Sequence, residues 1–95
     1  MNYTDSQLVA LFKALGDPTR LRIIRLFFDQ KMLCVTQIAK QCSISLPSAS
    51  QHLKILEHAQ LVQKERIGKL MCYRFCKKDA FVNKALNLTK HIECV

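Results

Sequence analysis

The stretch TQIAKQCSISLPSASQHLKILEHA, Thr36 to Ala59, decides the fold. Its apolar residues recur at helical spacing twice, with a short polar break between. Ile38, Ala39 and Cys42 share one face of a helix only about two turns long, with Thr36 as its expected cap. Ser43 ends that helix, and SIS reads as a tight turn. Ser45 then supplies an N-cap, and Pro47 suits a first helical turn, where its missing N–H costs nothing. In the second helix Ala49, Leu53 and Leu56 point one way, while Ser48, Gln51, Lys54 and His58 occupy the opposite face. Two short helices this close, the second polar on its outer face, spell a helix-turn-helix over about 36–58.

After Leu61 the period changes from helical to twofold. LVQKERI, then Gly68 and Lys69, then LMCYRF predict a β-hairpin over about 61–76 with a charged, exposed tip. Upstream, Thr4 and Gln7 have capping-box spacing, and Leu8, Leu11, Phe12 and Leu15 fall on one helical face over about 5–15. Gly16 follows as a stop. Asp17 caps the next helix and Pro18 opens it. LRIIRLFF, interrupted by Arg22 and Arg25, is apolar over most of its circumference, which puts it at the centre of the core. MLCV is short enough for a brief strand. A last helix over about 79–93 carries Phe81, Val82, Ala85, Leu86, Leu88 and Ile92, too spread for one stripe. This helix and the first are therefore the expected contacts with a second copy of the chain.

Ninety-five residues with 49% apolar content suffice for one domain, 1–95, and exclude a multidomain enzyme. The formal charge of +8 favours a polyanionic partner, with nucleic acid ahead of an acidic protein or a membrane surface. Two glycines exclude a glycine-rich phosphate loop. The start, MNYTDSQLVALFK, lacks a basic region and a cleavage site, and no apolar run approaches the ~20 residues of a membrane span. The expectation is a cytoplasmic protein with reduced thiols, no membrane partner and no cofactor. Catalysis is not expected either. Ser50 and His52 are too close on a helix to face each other, and no carboxylate is placed to orient a base.

A helix enters the major groove only if its outward side chains are short or flexible donors and acceptors. Ser48, Ser50, Gln51 and Lys54 meet that requirement, and Gln51 suits a bidentate contact to adenine. Lys64, Arg66 and Lys69 fall where a following hairpin crosses phosphates or dips into the minor groove. Each alone is an ordinary solvated residue. Net charge, helix pair and basic hairpin together predict binding to double-stranded DNA. The alternative is a winged helix used for protein or RNA contacts without an inducer site.

FKALGDPTRLRIIRLF, CVTQIAKQCSISLPSASQHLKILEHAQLV and KERIGKLMCYRF, in that order, resemble the ArsR/SmtB family of bacterial winged-helix repressors over nearly the whole chain. The resemblance implies a mainly α fold with a β-hairpin wing, in the order α-α-α-α-β-β-α. It also implies a homodimer paired through the first and last helices, which covers a palindromic operator and leaves it when an inducer binds. By position Ser48, Ser50, Gln51 and His52 match the family's recognition-helix contacts. Leu46 and Pro47 depart from the polar residues that many members carry at the start of that helix. His52 keeps a second reading, half buried and packing rather than touching DNA.

The resemblance also frames the five cysteines. The family's arsenic and lead sensors use a Cys-x-Cys pair at the third helix, where soft thiolates hold the ion. Here MLCVTQI keeps Cys34 but has Thr36 in the second position. Lys77, Asp79, Lys90 and Glu93 replace the pattern of the zinc sensors on the last helix, so no metal site is expected. His91 and Cys94, at i and i+3, remain as an isolated pair. Sulfur-responsive members use one cysteine on the second helix and one on the last; the second helix here has none, so Cys34 would have to replace it, and Cys34 with Cys94 is the candidate thiol sensor in this chain. Cys72 and Cys76 share a strand face about 13 Å apart, too far to bond to each other. Cys42 lies on an apolar helix face as a core residue. A bland reading of all five as small hydrophobes stands level with redox sensing.

Overall fold

The computed structural model describes residues 4–76. Helix α1 spans Asp5–Leu15 and α2 Pro18–Leu26, followed by strand β1 at Met32–Cys34. Helices α3 (Val35–Cys42) and α4 (Leu46–His58) come next, then strands β2 (Val62–Ile67) and β3 (Leu70–Phe75). The caps expected at the first two helices are present. Thr4 Oγ1 accepts the Gln7 N–H at 3.1 Å, and Gln7 Oε1 accepts the Thr4 N–H at 2.9 Å. Asp17 Oδ2 accepts the Arg20 N–H at 3.0 Å, with Pro18 in the first turn of α2. That helix is shorter than LRIIRLFF suggests. The Phe27 and Phe28 N–H groups bond three residues back, to Ile24 and Arg25, which tightens the chain out of the helix.

Two boundaries differ from the sequence reading. Helix α3 begins at Val35, not after Thr36, because Gln37 Oε1 reaches back to accept the Cys34 N–H at 2.8 Å and makes Cys34 the N-cap residue. MLC does form a strand, but it joins the hairpin, giving a three-stranded antiparallel sheet in the order β1-β3-β2. Leu33 pairs with Tyr73 and Val62 with Phe75. These four, all buried, mark the sheet face that meets the helices.

The core is built by Ile23 and Ile24 from α2, Leu33 from β1, Ile38 from α3, and Leu53 and Leu56 from α4, each fully buried. Burial of a side chain of this size contributes about 1.5–3 kcal/mol. The Phe27 and Phe75 rings stack with centroids 6.3 Å apart, joining the end of α2 to the end of the sheet.

Both helices of the pair end in the same way. Ser43 (φ 56°) and Gln60 (φ 63°) adopt left-handed backbone. The next residues, Ile44 and Leu61, send their N–H groups back to Ala39 and Leu56, each at 3.0 Å. This is the Schellman arrangement, with a hydrophobic residue tucked under the helix end. The first instance sets the three-residue turn between α3 and α4; the second aims the chain into β2. At the hairpin tip Gly68 has φ +60° in a two-residue turn between the paired Ile67 and Leu70, a backbone shape for which glycine carries no steric penalty. Helices α3 and α4 with the hairpin that follows form a winged helix-turn-helix, as the sequence reading expected. The expected last helix over 79–93 lies outside the described residues.

Candidate nucleic-acid interface

Helix α4 is anchored on one side and open on the other. Ser45 Oγ accepts the Ser48 N–H at 3.2 Å, and Ala49, Leu53 and Leu56 are fully buried. The opposite face carries Gln51 and Lys54, both exposed, flanked by Ser48, Ser50 and His52, all half-buried. Leu46, 49% exposed, puts an apolar side chain on the outer first turn.

The wing supplies the second part. Lys64, Arg66 and Lys69 are exposed and have no ion pair among the described residues. Lys64 and Arg66 alternate with Glu65, and Lys64 lies opposite Tyr73, so both cations share the sheet face that further down packs on the helices. The acid between them is neutralised on the other face, where Arg74 Nη2 donates to Glu65 Oε2 at 2.7 Å. At the base of the wing, burial and then the nearby Glu57 carboxylate push the Tyr73 hydroxyl pKa up, so it stays protonated.

Two cations that the sequence reading did not single out join this surface. An open groove of about 600 Å³ runs between α1 and α4, lined by Lys13, Arg20, Gln51, Lys54 and His58 among others. Arg20 organises it. Its Nε donates to the Ala14 carbonyl at 2.7 Å and its Nη2 to the Lys13 carbonyl at 3.1 Å, while Nη1 lies 3.3 Å from His52 Nδ1. One guanidinium thus ties the end of α1 to the middle of α4. Its own backbone N–H is the main cause that lowers the Asp17 carboxyl pKa, with the Arg20 charge adding to the effect. The signal in the sequence was the distance from Asp17 to Arg20: a cap spacing that also turns the arginine back over the preceding helix.

The cysteines are arranged differently from the expectation of reduced, separate thiols. Cys34 is joined to Cys72, its cross-strand neighbour, by a disulfide with Cα atoms 3.8 Å apart. The sequence does not reveal this pairing, because it depends on β1 lying against β3, a long-range contact. Cys42 is buried as expected, and burial pushes its thiol pKa up. Cys76 is half-buried. Cys94 and His91 lie outside the described residues, so the Cys34–Cys94 pairing has no geometry here. Among the described residues no three His, Cys, Asp or Glu side chains gather into a site for a metal ion. No helix there is long and apolar enough to cross a membrane.

Known proteins are similar to this chain in sequence and fold. A family model described as "Bacterial regulatory protein, arsR family" matches residues 17–64, which run from the Asp17 cap to the start of the wing. A transcriptional repressor SmtB homolog of Synechocystis is 31% identical over 86 residues, covering 90% of this chain and 61% of the relative. The chain therefore spans about three-fifths of that relative's length. The transcriptional repressor SdpR of Bacillus subtilis is 40% identical over 63 residues, covering 66% of this chain and 69% of the relative. Among solved structures, a homodimeric winged helix-turn-helix DNA-binding domain from Mycobacterium bovis superposes with a TM-score of 0.76 at 27% identity. It covers 98% of this chain and 94% of its own. With half of its length under the family model and its two helices, turn and wing in the matching order, the chain belongs to the arsR family of bacterial regulatory proteins.

Proposed function

We propose that this chain is a DNA-binding transcriptional regulator, a homodimeric repressor that reads a palindromic operator and is released by an inducing signal. Helix α4 enters the major groove with Ser48, Ser50, Gln51, His52 and Lys54. The hairpin carries Lys64, Arg66 and Lys69 to the flanking phosphates or minor groove. The observation that carries this reading is the exposure of Gln51 and Lys54 on an α4 whose other side is fully buried. On the hairpin that follows in the chain, Lys64, Arg66 and Lys69 are likewise exposed, with no carboxylate partner among the described residues. The M. bovis domain, homodimeric and DNA-binding by its description, and the relatives named as repressors lend support. Dimer formation is further supported by α1, which exposes Val9 (51%) and Phe12 (57%). The protein acts in the cytoplasm, where the DNA lies. Its signal is a change in thiol redox state or a reactive sulfur species rather than a metal.

The test is binding to duplexes from the protein's own promoter region across a range of salt. Affinity should fall steeply with salt, the slope counting several phosphate contacts. Gln51→Ala should abolish operator preference while keeping non-specific binding. A flat salt response, or a preference that survives Gln51→Ala, contradicts the assignment. RNA or protein binding without duplex affinity would instead favour an interaction module.

A further inference from the structure

We propose that Cys34 and Cys72 form a reversible dithiol–disulfide site that responds to hydroperoxides and couples the wing to the helix-turn-helix. This inference rests on the regulator reading above for what it controls, not for its chemistry. The register of β1 against β3 sets the two residues directly opposite each other, and they are bonded. Strand alternation puts them on the sheet face opposite Leu33 and Tyr73, so they are not part of the packing that holds the sheet to the helices. Accordingly Cys72, although only 1% exposed, stands outside the main core cluster.

The two sulfurs have different roles. Cys34 is half-buried and is the N-cap residue of α3, where the partial positive charge of the helix end favours a thiolate. Cys72 is shielded. The Cys34 thiolate attacks one oxygen of hydrogen peroxide, breaks the O–O bond and becomes a sulfenic acid as hydroxide leaves. The Cys72 thiol then displaces the sulfenic oxygen, which departs as water, and the S–S bond forms. Two thiols lose two electrons and two protons in total, and one peroxide becomes two waters. Among the other described cysteines, Cys42 is unsuited, being buried with its thiol pKa pushed up. Cys76, four residues on and just past the end of β3, is too far from Cys72 to compete for it.

Where DNA is kept, thiols are held reduced, so the dithiol is the resting state and the crosslink is the signal. Two unbonded sulfurs stand about 3.5–4 Å apart, which side-chain rotation provides across a strand pair, so in the resting protein no covalent link joins the residue before α3 to the wing. Oxidation closes the pair and ties the residue before α3 to the second wing strand. The wing and the recognition helix can then no longer adjust separately to the two grooves, and operator affinity falls.

The experiment uses the full chain, reduced or treated with hydrogen peroxide, with peptide mapping of the crosslink and binding to an operator duplex read in parallel. Oxidation should remove two hydrogens and link the Cys34 and Cys72 peptides. It should weaken operator binding by roughly 5–150-fold, the span of ordinary allosteric coupling, and thiol reductant should reverse both effects. Cys34→Ser and Cys72→Ser, separately, should abolish crosslink and response, whereas Cys76→Ser should keep both. A crosslink through other cysteines, or a full response in both serine variants, overturns the site. A Cys34–Cys72 crosslink with unchanged operator affinity overturns its control of DNA binding. Failure of both redox states to bind any duplex overturns the regulator reading instead, and the peptide map still decides the site.

Discussion

Arg20 Nη1 lies 3.3 Å from His52 Nδ1, and the same guanidinium holds the carbonyls of Ala14 and Lys13. A guanidinium has only donors, so Nδ1 must present its lone pair, and the neutral ring carries its proton on Nε2. Arg20 therefore dictates that the other nitrogen of His52 on the recognition helix is a donor.

This relationship is open to direct measurement. Nitrogen chemical shifts of the His52 ring should report the Nε2–H tautomer. Arg20→Ala should mix the tautomers and cost about 1–2 kcal/mol in urea unfolding, since charge-assisted bonds to two carbonyls are lost. Arg20→Lys should restore little, because a compact ammonium lacks the guanidinium fork that reaches all three acceptors. A ring tautomer indifferent to both substitutions would remove Arg20 from this role.

Asp17 ties stability to pH. Its carboxyl pKa is held below the ordinary value, chiefly by the Arg20 N–H. A group depressed in the folded state contributes stability that is fully present above its unfolded pKa. That contribution is lost as pH falls through the folded value, so the window lies on the acid side, below about pH 4. Asp17→Asn should retain the cap but flatten this limb of the stability curve, and Asp17→Ala should cost about 1 kcal/mol at neutral pH. An Asn variant with the wild-type acid slope would show that another group titrates.

The two left-handed residues at the ends of α3 and α4 carry a Cβ where glycine has none. Gln60→Gly and Ser43→Gly should each stabilise the fold by up to about 1 kcal/mol, the relieved steric cost outweighing the added unfolded-state entropy. Thermal unfolding checks this, and a lowered Tm in both would mean that side-chain contacts outweigh the backbone there.

The wing offers opposite substitutions. Lys64→Ala or Arg66→Ala should each reduce the salt slope of duplex binding by about one contact, uniformly across sequences. Glu65→Gln should act in reverse, removing a negative charge and releasing Arg74 from its 2.7 Å ion pair, so that non-specific affinity rises. Binding that ignores both kinds of change would place the DNA elsewhere on the molecule.

What could be read from the sequence was local. Thr4 with Gln7, Asp17 with Pro18, and Ser45 with Pro47 announced three helix starts, because an N-cap and the first helical turn it opens are neighbours in the chain. The burial of Ala49, Leu53 and Leu56 followed from helical spacing, and with it the outward face of Gln51 and Lys54. What escaped was long-range. A brief strand at MLC was expected, but nothing near it in the chain reveals that its partner is LMCYRF, so neither its place in the sheet nor the Cys34–Cys72 pairing could be read. The same holds for Arg20 and His52, which meet only because α1, α2 and α4 pack together. The start of α3 was misplaced by a competition between two polar residues: Thr36 looked like the cap, but Gln37 reaches back to the backbone of Cys34.

The sheet order β1-β3-β2 bears on how the chain acquires its shape during synthesis. The helix-turn-helix lies in the interval between β1 and the hairpin, and its turns form from neighbours in the chain. The two outer strands, however, share a single central partner that is made last. Until Leu70–Phe75 leave the ribosome, both Met32–Cys34 and Val62–Ile67 expose unsatisfied backbone, and the base of the core lacks Tyr73 and Phe75. The three-stranded sheet is therefore completed by one late six-residue segment. A chain stopped at the Gly68 turn would keep the sequence of the recognition helix but lose the platform that holds it.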